Sequence, residues 1–224
     1  RHGIGEPLLR YKKPNVGKTY PIETPADSDE FTATTLGLQW QWQANPQDHW
    51  YSLTARPDHL RLYAQALPEE VNTHYHAPHL IMQKFPALTF TASAKLDVRA
   101  LKPGERAGLV IFGYKFAYLA VESREDGAGF ALQYVEGNEA DEQVKWQSPL
   151  VADEVVLTVQ VAEDAICKFA YSRDGQEYIA ITTPPFQAVK GHWVGAKMGL
   201  FATSAASSVE APGYVDVDWF RVAK

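Results

Sequence analysis

The sequence predicts an all-β chain folded as a two-sheet antiparallel β-sandwich, on three observations. From Phe31 onward the chain breaks into short apolar runs of strand length, separated by turn-forming residues at intervals that suit a sandwich. No stretch carries a long helical period. The runs outnumber what one flat sheet usually holds, and some, such as LVIF at 109–112, are apolar throughout, as strands covered on both faces are.

The elements follow in order. The opening residues carry Pro7, Pro14, Pro21 and Pro25, which disfavour a long helix or a central strand, so 1–27 reads as an extended arm and 28–224 as the sandwich. If LQWQW (38–42) is a strand, Trp40 and Trp42 share one face while Gln39, Gln41 and Gln43 point the other way. Asn45-Pro46 then turns the chain and Trp50 begins the next strand, WYSLTAR (50–56). Further runs rich in β-branched and aromatic residues are HLRLYAQ (59–65), LTFTASAKLDV (88–98), RAGLVIFG (106–113), FAYLAVES (116–123) and FALQYVEG (130–137). The series continues with VVLTVQVA (155–162), ICKFAYS (166–172), EYIAITT (177–183), KMGLFATS (197–204) and YVDVDWFRV (214–222). Arg56-Pro57-Asp58, Lys102-Pro103-Gly104, Asp126-Gly127, Glu136-Gly137-Asn138 and Asp174-Gly175 supply turn chemistry between them. Ser172–Gln176 reads as a hairpin turn.

Composition narrows the function classes. A chain of 224 residues buries a sizeable core without staples, and its one cysteine, Cys167, excludes an intrachain disulfide. On a strand Cys167 shares a face with Phe169 and Tyr171, which marks it as structural. A net charge of -6 with no basic patch between aromatics argues against nucleic acid, and no apolar run reaches the length of a membrane span. RHGIGEP lacks an initiator Met and a signal-peptide pattern, so the chain reads as a piece of something longer and does not reveal its location.

Three groups of residues carry potential chemistry. A row of indoles with amides nearby is the surface a sugar ring needs: apolar C–H faces stack on the ring while hydroxyls find amide, carboxylate or imidazole partners. For any single tryptophan, burial in the core is the stronger expectation. HYHAPH brings His74, His76 and His79 together; zinc would accept them, but no cysteine or HExxH helix is near and Ala77-Pro78 marks a loop, so histidines that are solvated or line a cleft are favoured. Asp216 and Asp218 alternate onto one face, where Glu122 could meet them across a sheet as glycosidase carboxylates. No E-x-D-x-x-E strand, GxSxG, GxGxxG or P-loop is present. The structural reading gives these aspartates strand-end roles, bonding the N-terminal segment or ligating a structural calcium with Asp29 or Glu30; Glu30 and Asp218 are the expected ligands.

SDEF, LGLQWQW, NP, WYSL, RP, HLRL, QKFPA and YVDVDWFRV together resemble the C-terminal concanavalin A-like domain of glycoside hydrolase family 43 β-xylosidases and arabinofuranosidases, also classed as carbohydrate-binding module family 91. The resemblance covers Ser28 to Val222, and GIGEPLLRYKKPNVGKTYPIETP is similar to the tail leading out of the catalytic propeller. It implies a concanavalin A-like jelly roll beside a five-bladed propeller that holds the catalytic acids, and hence no hydrolysis by this chain. It also implies xylan or a xylo-oligosaccharide and the family 43 catalytic domain as partners, and an extracellular or periplasmic setting. In the family's β-xylosidases an aromatic from a loop before the last strands reaches the active-site rim. In the matching GHWVGAKMGLF that position is held by Lys197, which shifts the role to Trp193. The leading expectation is therefore a xylan-binding module with Trp40, Trp42, Trp50, Tyr114, Tyr118 and Trp146 stacking on sugars, and Gln41, His74, His76, Glu122 and Gln133 meeting hydroxyls. The alternative is a structural domain whose tryptophans are core or interdomain packing.

Overall fold

Alternation along LTFTASAKLDV produces what it predicts. Phe90, Ala92, Ala94 and Leu96 are buried while Thr91, Ser93, Lys95 and Asp97 stay partly exposed. The computed structural model describes residues 5, 8, 10–21, 23–69, 71–205 and 211–224. In chain order the strands are β1 (Gln41–Trp42), β2 (Tyr51–Ser52), β3 (Leu60–Tyr63), β4 (Gln65–Ala66), β5 (Ile81–Lys84), β6 (Phe90–Asp97), β7 (Glu105–Phe112) and β8 (Lys115–Ser123). They continue with β9 (Phe130–Asn138), β10 (Glu142–Leu150), β11 (Glu154–Ala162), β12 (Ile166–Ser172), β13 (Ile179–Ala180), β14 (Phe186–Gln187), β15 (Lys197–Ser204) and β16 (Tyr214–Ala223).

Two eight-stranded sheets result. The first runs β1-β5-β15-β7-β8-β9-β10 with β4 parallel to β15; the second runs β13-β12-β11-β6-β16-β3-β2 with β14 beside β12. Their facing sides form the main core, from Leu109, Ile111, Leu119 and Leu132 on one sheet to Leu96, Leu157, Phe169 and Val217 on the other. Cys167 is buried there, and burial pushes its thiol up to about 12, consistent with an inert structural residue.

A second core lies on the outer side of the first sheet. Met82, Val110, Phe112, Phe116, Tyr118, Val135 and Phe201 point away from the main core and are covered by the segment that includes Leu67, Tyr75, Ala77 and Leu80. A single turn of 3-10 helix, His74–His76, lies in this cover. This is why LVIF is apolar throughout: both of its faces are buried.

The arm meets the sandwich at SDEF. Asp29 and Phe220 exchange backbone hydrogen bonds of 2.7 and 2.8 Å. The Asp29 carboxylate accepts from the Phe31 backbone N–H at 2.8 Å and from the Trp40 indole N–H at 2.8 Å. Phe31 stacks on Trp40, which meets Phe220 edge-on at 5.1 Å.

Several expected strands differ. WYSLTAR yields only Tyr51–Ser52, with Trp50 in the 3-10 turn Asp48–Trp50 before it, and EYIAITT yields only Ile179–Ala180. The long β10, absent from the expected set, is an edge strand with a register shift between Val144 and Trp146. Its polar composition and Pro149 are what an edge tolerates and a central strand does not.

Candidate functional site

Trp40 and Trp42 do share a face, and that face is the core. Trp40 and Trp50 are each 8% exposed, and Trp42 packs on Trp50 at 5.5 Å and Tyr51 at 5.2 Å against the main core. Trp146 likewise turns inward, 6.2 Å from Tyr171. Tyr118 is fully buried in the second core. Trp40, Trp50 and Tyr118 are buried packing residues, a correction to the stacking role expected of them, and Trp42 and Trp146 are half-buried against the main core. Periodicity told which residues share a face; burial of the sheet's two sides decided which face is wet. Of the six, Tyr114 alone is classed as exposed.

The hydroxyl-binding candidates also divide. Glu122, Gln133 and His74 enter a relay inside the outer face of the first sheet. Arg106 donates to Glu122 at 3.1 Å and to the Tyr118 hydroxyl at 3.1 Å, and Gln133 donates to Glu122. Tyr118 donates to Glu142 at 3.1 Å, whose other oxygen accepts the His74 backbone N–H at 3.0 Å and lies 3.0 Å from His74 Nδ1. His74 Nε2 and His79 Nε2 both reach Thr203 Oγ1, at 3.2 and 3.0 Å. One proton arrangement satisfies the chain: His79 donates to Thr203, Thr203 to His74, and His74 to the Glu142 carboxylate. Burial depresses both histidines, His79 to about 3. The relay pins the covering segment to the sheet, so His74 and Gln133, both buried, are not free to meet a ligand. Arg106, Glu142 and Thr203 were not singled out from sequence; Glu142 heads the strand that went unrecognised.

Asp216 and Asp218 do not pair with Glu122, which lies on the far side of the other sheet. Arg61 clamps Asp216 in a two-pronged bond of 2.7 and 2.8 Å, with Arg56 adding a third contact at 3.3 Å. Asp218 accepts from Lys95 at 3.0 Å, and Glu30 takes both prongs of Arg221 at 2.7 and 2.9 Å. The expected calcium ligands are thus neutralised by cations, a donor set that does not fit a metal. Among the described residues no group of three or more His, Cys, Asp or Glu is arranged to hold one.

One open cleft, of about 460 Å³, lies at one end of the first sheet's outer face and gathers several of the expected residues. Its floor is Phe112 and Gly113; its walls are Gln43, Ala44, Tyr75, His76 and Pro78 on one side and the 191–197 loop on the other. Gly113 must be glycine, because a Cβ there would lie 2.0 Å from the Val189 carbonyl oxygen. The loop is closed by a Gly191 N–H to Val194 carbonyl bond of 3.0 Å. At its tip Trp193 is 91% exposed, with φ +62°. His192 packs edge-on against Trp193 and reaches the Tyr114 hydroxyl at 3.1 Å through Nδ1. His76 and Lys197 line the interior, and Gln41 lies outside this cleft, in a neighbouring groove beside Gln39 and Gln83. Burial, together with Lys84 nearby, lowers the Lys197 pKa. The structure thereby brings together Tyr114, His76, Trp193 and Lys197, and adds Tyr75 and His192, which sequence spacing did not connect.

No helix among the described residues is long and apolar enough to cross a membrane. Comparison with known proteins extends this picture. The profile of the β-xylosidase C-terminal concanavalin A-like domain matches residues 28–223. A β-xylosidase of Formosa agariphila is 36% identical over 97% of this chain, which spans 38% of that protein. A non-reducing end α-L-arabinofuranosidase of Bacteroides ovatus is 27% identical over 94% of the chain, which spans 39% of it. Among solved structures, the xylan β-1,4-xylosidase of Bacillus halodurans superposes with a TM-score of 0.77 at 22% identity, covering 97% of this chain and 42% of that one. The chain, which spans well under half the length of these relatives, belongs to the family of β-xylosidase C-terminal concanavalin A-like domains.

Proposed function

We propose that this domain is the non-catalytic accessory of a family 43 glycoside hydrolase and that it touches a xylan-type hemicellulose chain through the Trp193 loop. The observation that carries the reading is the exposed indole itself. Trp193 is 91% exposed and held at a φ of +62°, beside a cleft of about 460 Å³. A bulky residue in the left-handed region costs about 1–2 kcal/mol, and an indole left in water gains nothing for the fold. A sugar ring stacking on Trp193 with its hydroxyls near His192, Tyr114 and His76 accounts for both features. The non-catalytic half of the reading rests on the separation of Glu122 from Asp216 on opposite sides of the sandwich, where no glycosidic bond could lie between them.

One stacking ring with exposed hydrogen bonds gives weak binding, on the order of micromolar to millimolar. Affinity electrophoresis in gels containing arabinoxylan, glucuronoxylan, cellulose-type or mannan-type polymer tests it. Selective retardation by the xylans, lost in a folded Trp193→Ala variant, is the expected result. Unchanged mobility in every gel would reject polysaccharide binding.

The burial of Trp40 and Trp50, with Trp42 half-buried against the main core, favours a second reading, in which the domain only packs on and stabilises the catalytic propeller. Its signature is a rise in the melting temperature of the catalytic domain when this domain is present, without retardation by any polymer.

A further inference from the structure

We propose that the cleft beside the Trp193 loop takes a carboxylate-bearing sugar, with Lys197 as its counter-ion, so that the hemicellulose engaged is an acidic one bearing hexuronic acid. This deepens, and rests on, the reading of the Trp193 loop as a polysaccharide contact.

Lys197 opens β15 and stands directly across the ladder from Lys84 of β5. Like charges facing each other in a sheet are destabilising, and the surroundings do nothing to relieve them. Lys95 and Lys224 each have an acidic partner, at 3.0 Å and closer, whereas among the described residues no side-chain hydrogen bond or ion pair reaches the ammonium of Lys197 or of Lys84. It is also partly withdrawn from water, which makes an uncompensated ammonium costly. The other ionisable groups in the lining are His76, His192 and Tyr75, and no carboxylate is among them. Glu139, outside the lining, lies 4.0 Å from His76 Nε2. A site with a local excess of cations in a chain of net charge -6 is selective by construction, since the rest of the surface repels polyanions. The volume suits one or two sugar rings, with Lys197 in the lining to meet the carboxylate and the exposed Trp193 next to the lining residues His192 and Val194 in the chain.

The test compares glucuronoxylan with the same polymer after its carboxyl groups have been reduced to alcohols, in affinity gels at low salt, using the wild-type domain, Lys197→Gln and Trp193→Ala. The expected result is that carboxyl reduction weakens retention of the wild type about threefold. Lys197→Gln should erase that difference with no loss of melting temperature, because it also removes the repulsion from Lys84. Equal retention on both polymers would overturn the inference while leaving the polysaccharide reading intact. So would a Lys197→Gln variant that keeps the preference for the acid form, in which case the lysine serves another partner, such as a carboxylate of the catalytic domain. If neither polymer nor any neutral xylan retards the wild type, the functional reading itself fails and the inference falls with it.

Discussion

His79 and His74 show how single residues tie the covering segment to the sheet. Both imidazoles are buried and bonded through Thr203, and burial holds both below the ordinary histidine value, His79 at about 3. The unfolded chain therefore takes up protons below its histidine pKa of about 6.5 that the folded chain refuses. Stability from these two groups is complete above that value and drains away as the pH falls toward the folded values. Each contributes a slope of up to about 1.4 kcal/mol per pH unit in that window. Melting temperatures measured from about pH 7 to about pH 4 should fall, and His79→Gln should show a shallower decline than wild type. A parallel decline in both proteins would mean that His79 does not remain neutral in the fold.

At the scale of elements, the junction of β3 and β16 depends on one carboxylate. Asp216 has a 5% exposed side chain and receives both prongs of Arg61, so Asp216→Ala leaves that guanidinium without its carboxylate, while Arg56 keeps Asp97 at 2.8 Å. The expected cost is roughly 3 kcal/mol, a fall of several degrees in melting temperature in a domain of this size, read by calorimetry. Any activity of the parent enzyme should survive, since Asp216 is structural in this arrangement. Local pattern made much of this level readable in advance: β6 alternates as written, and Cys167 shares its face with Phe169 and Tyr171. The strand β10 was not readable because an edge strand has no requirement to be apolar, and its Pro149 and bulge mimic a loop. The His74–Glu142 bond joins residues 68 apart, a distance over which no local spacing informs. For the indoles of LQWQW, a period of two settles that Trp40 and Trp42 point together but not toward what. The answer came from Phe31 and Phe220, distant in sequence, closing over Trp40.

The whole molecule is a sandwich with an additional layer. Leu67, Tyr75, Ala77 and Leu80 cover the outer side of the first sheet and make of that face a second core. The cleft beside the Trp193 loop opens at the end of that sheet, where Tyr75, His76 and Pro78 of the cover form part of its lining. The class of fold and its family signature were legible because many short segments agreed. The cleft was not, because it assembles from four separate stretches around residues 43–44, 75–78, 112–113 and 191–197. The pairing of Asp29 with Phe220 has its own consequence at this scale. The polypeptide enters and leaves the sandwich side by side, so the order in which strands appear along the chain is not dictated by geometry. A circular permutant joining residue 223 to residue 28 through a short linker and opened at the exposed Asp126–Gly127 turn preserves every strand pairing. It should fold with the parent's circular dichroism spectrum, making the domain a portable insert that a host protein could carry within one of its own loops.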